Sequence, residues 1–317
     1  MNKKDKIYIA GHNGLVGRAI VNELGNQGYE NLLMKKSSEL DLRNQAAVNT
    51  FFEKEKPDFV FLAAAKVGGI MANSTMKGDF IYDNLMIASN IIKASRDSEV
   101  KKLLNLGSSC IYPKLADQPL KESALLSGYL EPTNEPYAIA KIAAIKLCTS
   151  FNHQYGTNFI SAMPTNLYGP YDNFNLETSH VLPAMLRKFH EAQVNNTEVE
   201  LWGDGTPFRE FLYSEDLAEG LVFLMNHVDA PQMPEGFLNI GTGEDLSIRD
   251  LAALIKKTVG FTGPVKWDDS RPNGTPRKVM DVSAILNLGW KAKTTLEEGL
   301  KKVYRWYLQE EAHGIKG

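Results

Sequence analysis

Ile7-Tyr8-Ile9-Ala10 runs straight into Gly11-His12-Asn13-Gly14-Leu15-Val16-Gly17. Four mostly apolar residues are too few for a helix and suit a short strand buried on both faces. The glycines that follow are the only Gly-x-x-Gly-x-x-Gly of the chain, and they open a helical pattern over Leu15–Leu24. Missing Cβ atoms permit a tight turn and let a pyrophosphate approach backbone N–H groups at a helix N-terminus. Strand, glycine loop and helix in that order are a dinucleotide-binding fingerprint. Gly11, His12, Asn13, Gly14, Leu15, Val16 and Gly17 are therefore expected to line a cofactor.

Outward from this stretch the alternation continues. Candidate strands are Asn31–Met34, Phe59–Ala63, Lys102–Leu106 and Phe159–Met163, with helical patterns over Ala46–Lys54, Tyr82–Ser95 and Tyr137–Tyr155. Pro57-Asp58 separates a helix from a strand, because proline lacks the N–H that would continue the helix. The expected fold is α/β, a doubly wound parallel sheet of the Rossmann type. Beyond Pro170 the regularity fails. A helix over Val181–Ala192, a strand over Glu198–Leu201 and a Gly203-Asp204-Gly205 turn are expected there. A helix from Ser214 to Met225, a strand over Phe237–Ile240 and a helix over Leu296–Gln309 follow. Residues 1–170 are expected to form an NADP-binding Rossmann domain, with a returning segment near 210–244. Residues 171–317 are assigned mainly to a smaller C-terminal substrate-binding domain.

The chain has 317 residues, a net charge of −3, 43% hydrophobic and 23% charged residues, which excludes disorder as its main state. That charge balance argues against a nucleic acid or an anionic membrane as partner. Two cysteines, Cys110 and Cys148, suit a reducing compartment, and the short apolar run near the N-terminus is no signal peptide or membrane span. A cytoplasmic protein is expected. Cys148, among Ile145, Leu147 and Phe151, reads as a core residue. His12, His153, His190, His227 and His313 read as structural or surface residues, with His12 also placed to touch a cofactor; no metal site is expected.

An NAD-preferring site puts an acid at the end of the second strand, about 20 residues past the glycines. Here the sequence is Met34-Lys35-Lys36-Ser37-Ser38, two cations and no acid, so Lys35 and Lys36 point to NADP(H). Tyr137 and Lys141 share a helix face at i, i+4 spacing. A free phenol titrates near ~10, and a fixed ammonium beside it favours the phenolate. The fourth strand ends in Gly107-Ser108-Ser109-Cys110-Ile111-Tyr112-Pro113, where ligands bind in open α/β sheets. Ser108, Tyr137 and Lys141 together can deliver a proton to a carbonyl oxygen while a nicotinamide delivers hydride to its carbon.

These features resemble the extended short-chain dehydrogenase/reductases. Ala63-Ala64-Ala65-Lys66-Val67-Gly68-Gly69-Ile70, Glu131 to Lys141, Pro164 to Pro170, Ser179-His180-Val181 and Pro207 to Phe211 narrow the resemblance to the GDP-L-fucose synthase family. Members epimerise C3 and C5 of GDP-4-keto-6-deoxymannose and then reduce the C4 ketone with NADPH. The resemblance implies Ser108, Tyr137 and Lys141 as the reductive set, with Cys110 as base and His180 as acid for epimerisation. It implies cofactor contacts from Leu106, Gly107, Ser108, Ser109, Lys141, Pro164, Thr165, Asn166, Leu167 and His180, and GDP-sugar contacts from Lys188, Trp202 and Arg209. Enolate charge formed during epimerisation falls on O4, where Ser108 and Tyr137 can stabilise it. A cysteine serves as base only if a cation or helix dipole lowers its pKa from about 8.5.

Two departures stand out. The family commonly carries an arginine at the position of Asn13 and another near Ser37, leaving Lys35 and Lys36 to meet a 2′-phosphate. Relatives also pair the helices corresponding to Tyr82–Ser95 and Tyr137–Tyr155 across a two-fold axis, which implies a homodimer with Ile87, Ile91, Ile142 and Ile145 at the contact. Two competing readings remain open: a sugar-nucleotide epimerase or dehydratase without net redox, which would not need Cys110 and His180, and a non-catalytic cofactor sensor, which could dispense with Tyr137 and Lys141.

Overall fold

A computed structural model describes residues 1–270 and 273–312, so His313 lies outside the described residues. The first half reads β1 (Ile7–Ala10), α1 (Leu15–Asn26), β2 (Leu32–Leu33), α2 (Gln45–Glu55), β3 (Phe59–Leu62) and α3 (Ile70–Thr75). It continues through α4 (Lys77–Asp97), β4 (Lys102–Leu106), α5 (Glu135–Tyr155) and β5 (Phe159–Pro164). Period-two alternation sends successive residues of each strand to opposite faces. Ile7 and Ile9 of β1, with Phe59 and Phe61 of β3, enter one core; Tyr8, Ala10, Val60 and Leu62 enter the core on the other side. Both faces are covered, as a parallel sheet requires.

The second half begins with β6 (Asn166–Tyr168), α6 (Val181–Asn195), β7 (Val199–Trp202), β8 (Phe208–Tyr213), α7 (Ser214–His227) and β9 (Leu238–Ile240). It ends with β10 (Asp245–Ser247), α8 (Ile248–Val259), β11 (Val265–Asp268), β12 (Arg277–Lys278), α9 (Ser283–Asn287) and α10 (Leu296–Ala312). The main sheet is parallel throughout, in the order β2-β1-β3-β4-β5-β9. Its strand order reverses between β1 and β3, and the crevice at that switch point is where such sheets take ligands. A smaller sheet centres on β8, which pairs with β6, β10 and β12; β7 and β11 form a separate ribbon. A third core, drawn from α6, α8, α10 and the strands around β8, lies beneath them.

The sixth strand of the main sheet is β9, some 75 residues further along than β5. A buried cation helps anchor that return. Lys102, at the start of β4, donates from Nζ to the carbonyls of Leu224 and Met225 at 3.1 and 2.9 Å, at the C-terminal end of α7. A helix C-terminus offers free carbonyls and partial negative charge, so it stabilises a cation there.

Cys148 is fully buried in the core, as its neighbours imply. The apolar residues expected at a subunit contact fare differently. Ile91, Ile142 and Ile145 are buried within this single chain, because α4 and α5 pack on each other and on the sheet. Only Ile87 of that set is partly exposed. Among the described residues no helix is long and apolar enough to cross a membrane.

Candidate active site

The glycine loop has the form the sequence predicts. Gly11 takes φ +87°, and Gly17 packs so tightly on the Gly11 carbonyl that any Cβ there would collide with it. Gly14 is the N-cap of α1 and has no side-chain cap, so first-turn N–H groups face outward toward an anion. His12 Nδ1 is buried without a hydrogen-bond partner. A dinucleotide's diphosphate fits this cradle by backbone donors and helix dipole.

At the end of β4, Ser108 caps a single 3-10 turn over Ser109–Ile111, and the Cys110 N–H reaches its Oγ at 3.5 Å. Tyr137 stands in the first turn of α5, edge-on to Phe80 with ring centroids 6.4 Å apart. Lys141, one turn on, lies 5.7 Å from the Tyr137 ring centroid and donates to the Leu106 carbonyl at 2.8 Å. Burial pushes the Tyr137 phenol upward, with Cys110 adding to the rise and the Ser108 hydroxyl opposing it. The phenol is thus held protonated, as a proton donor must be. Burial pulls Lys141 down to about 8.

His180, the N-cap of α6, comes in from a separate loop. That loop is docked where the Gly69 N–H donates to the Thr178 carbonyl at 3.0 Å. Desolvation and then the Lys278 charge favour neutral imidazole at His180. Burial raises the Cys110 thiol, while Lys278, Ser108 and Lys141 draw it back. Lys278 is a group that sequence reasoning missed. It lies in β12, opposite Arg209 of β8 in the parallel register, and its charge acts on both Cys110 and His180. No local sequence signal marks it; only the pairing of β12 with β8 brings it to the strand ends.

The residues implied for a GDP-sugar divide into two adjoining groups. Lys188 sits 5.7 Å from the Trp202 ring centroid and donates to the Glu200 carbonyl at 2.9 Å, while Trp202 is 56% exposed. Arg209 donates to the Phe208 carbonyl at 2.7 Å. Asn273-Gly274 joins the groups: Asn273 Oδ1 accepts from the Asp204 N–H at 2.9 Å, and Gly274 lies against the Arg209 guanidinium. Asn166 follows β5 and is oriented by its side-chain amide, which donates to the Glu210 carbonyl at 2.8 Å. Thr165 lies beside it, its hydroxyl 3.4 Å from the same oxygen.

Residues 7–241 match the NAD dependent epimerase/dehydratase family. GDP-L-fucose synthase 1 of Arabidopsis thaliana is 55% identical over 97% of this chain and 94% of its own length. GDP-L-fucose synthase of Escherichia coli strain K12 is 52% identical over 97% and 98%. The chain belongs to the GDP-L-fucose synthase family. A solved structure of MlghC, the GDP-mannoheptose C4 reductase from Campylobacter jejuni with NADP bound, superimposes with a TM-score of 0.91, at 43% identity, covering 97% of this chain and 99% of that one.

For a family member the buried Glu210 is the second residue that sequence reasoning passed over. Its carboxylate accepts from the backbone N–H groups of Thr242, Gly243 and Met280 at 2.6, 2.9 and 2.8 Å. One side chain thereby joins β8 to the loop after β9 and to the segment just past β12, beside Arg209 and Lys278. Its sequence signal was the Arg-Glu step in Pro207 to Phe211, two adjacent charged residues in an otherwise uncharged strand.

Proposed function

We propose that the protein converts GDP-4-keto-6-deoxy-D-mannose to GDP-L-fucose, inverting C3 and C5 and reducing the C4 ketone with NADPH. The observation that carries this reading is the convergence of Ser108, Cys110 and Tyr137 at the end of β4, with the Lys141 ammonium behind them and His180 brought in on a separate loop. Residues 1–170 with the segment near 210–244 would hold the cofactor, and residues 171–317 mainly the sugar nucleotide.

Each residue has a defined task. Ser108 and Tyr137 donate hydrogen bonds to O4, which stabilises the enolate formed when a flanking carbon loses its proton. Cys110 as thiolate removes that proton from one face, and His180, once it has taken up a proton as imidazolium, returns one from the other, which inverts the centre. This leaves thiol and neutral imidazole to re-equilibrate with solvent before the second centre. The glycine loop Gly11 to Gly17 would hold NADPH, which would supply hydride for C4. Tyr137 then protonates O4, and Lys141 steadies the resulting phenolate. Lys188 and Arg209 neutralise the diphosphate, and Trp202 offers an aromatic face.

The experiment is incubation with GDP-4-keto-6-deoxymannose, following loss of NADPH absorbance and identifying the sugar by NMR. GDP-L-fucose is expected; a product epimerised at C4 with no NADPH consumed would sink the reading. A second reading is favoured by the likeness to MlghC: reduction of a GDP-heptose at C4. The corresponding keto-heptose in the same assay decides between them, and faster turnover of the heptose would favour the second.

The reading includes a cytoplasmic homodimer. Tyr82 of α4 and Ile139 of α5 are 61% and 41% exposed on two helices that pack together, and two-fold closure is the commonest way to cover such a face. Light scattering at micromolar concentration should give twice 35.3 kDa; a stable monomer counts against it.

A further inference from the structure

We propose that Arg18 is the residue that selects NADP(H) over NAD(H) in this protein, by binding the 2′-phosphate of the adenine ribose. The inference rests on the NADPH reading above.

Arg18 lies in the first turn of α1, where helical side chains lean back toward the N-terminus and cover the preceding turn. It does so here: its Nε donates to the Asn13 carbonyl at 3.0 Å. A cation therefore hangs beside residue 13, the position at which this chain carries no charge of its own. The guanidinium is held on its other side by Tyr171, whose ring centroid lies 4.4 Å away. Tyr171 itself adopts φ +67°, a conformation that costs a non-glycine residue free energy and persists only where surroundings enforce it. The enforcing contacts are Arg18 on one side and Trp306 of α10, with ring centroids 5.0 Å apart, on the other.

Lys35 and Lys36 do not by themselves meet the need. Glu39 lies 4.0 Å from the Lys35 ammonium and accepts the Lys36 backbone N–H at 2.8 Å, so a carboxylate already answers one of the two charges. Among the described residues no carboxylate lies within 4 Å of Arg18. Arg18, Lys36 and Glu39 all act on the His12 ring, which places the end of β2 and the start of α1 around one spot. Its Nδ1 is the buried nitrogen without a partner. A phosphate monoester carries about −1.5 to −2 charge at neutral pH and accepts a guanidinium fork well. It fits between Arg18 and Lys36 with the imidazole beside it. The 2′-hydroxyl of NADH offers nothing to that fork.

Calorimetric titration of the purified enzyme with NADPH, NADH, 2′,5′-ADP and 5′-AMP tests this without turnover. Arg18→Ser should weaken NADPH and 2′,5′-ADP by about 10- to 100-fold and leave NADH and 5′-AMP within about twofold. Arg18→Lys should recover part of the loss, and Glu39→Gln should tighten NADPH. An Arg18→Ser protein that keeps its preference, or loses NADPH and NADH equally, overturns the assignment, with unchanged melting temperature as the check on folding. Wild-type protein that binds neither nucleotide would instead overturn the cofactor reading, and the inference with it.

Discussion

The Lys141 ammonium and the Leu106 carbonyl are 2.8 Å apart, joining the second turn of α5 to the last residue of β4. This contact fixes the angle at which Tyr137, one turn earlier, meets Ser108. It also gives the cation a neutral partner rather than a carboxylate, so its charge stays available to a developing phenolate.

With burial holding Lys141 at about 8, reduction should lose rate as pH rises through that value, because the deprotonated amine no longer stabilises the phenolate. The limb should appear in kcat/KM for the reductive step. Lys141→Arg would keep its charge and move the limb beyond the accessible range, and Tyr137→Phe should lower reduction at least ~10²-fold with cofactor binding retained. A flat wild-type profile between pH 7 and about 9.5 would contradict the role given to Lys141.

Epimerisation and reduction should separate genetically. Cys110→Ser or His180→Asn should leave NADPH binding intact and block inversion, so that the unepimerised ketone is reduced to a GDP-6-deoxyhexose. In D₂O the wild type should place deuterium at C3 and C5, and Cys110→Ser should place little. Full exchange by that variant would remove Cys110 as the base.

Lys278 offers a sharper test of how the thiol is activated. Burial raises Cys110, and Lys278 is the foremost of the groups that lower it. Lys278→Met should therefore shift the pH profile of iodoacetamide alkylation upward and slow deuterium exchange, while hydride transfer to an already inverted ketone changes less. An unmoved alkylation profile would show that the thiol owes its reactivity to something else.

Replacing Glu210 by Gln keeps the shape but turns an NH₂ toward N–H donors. Leaving buried donors unmatched costs about 1–3 kcal/mol each. Thermal unfolding should begin several degrees lower, and KM for the GDP-sugar should rise because Arg209 and Lys278 shift together. Stability equal to wild type would mean the carboxylate is dispensable to the join.

Where chemistry and chain order coincide, the sequence was readable. Gly11 to Gly17, Tyr137 with Lys141, and the run after β4 each sit in one continuous stretch, and every main-sheet strand of the first half lies within a residue or two of its expectation. Reading failed where position depends on distant pairing. Lys278 is brought opposite Arg209, and Glu210 to the Met280 N–H, by the β8–β12 pairing, which no periodicity reports. Ile91, Ile142 and Ile145 were apolar for the chain's own core rather than for a partner. Helix α8 was legible and passed over: Ser247 accepts the Asp250 N–H as its N-cap, and Gly260 ends it in the left-handed region.

The place of β9 beside β5 bears on how the molecule is made. A nascent chain that has emerged only as far as Pro170 already contains five of the six parallel strands, but its β5 is an open edge with unpaired backbone groups. That edge is covered only after about 70 further residues leave the ribosome, several seconds at ordinary elongation rates. During that interval the exposed ladder of Phe159–Pro164 is a template for pairing with another chain. A fragment cut at the apparent end of the cofactor-binding half would carry this edge permanently, and would be prone to self-association rather than to nucleotide binding.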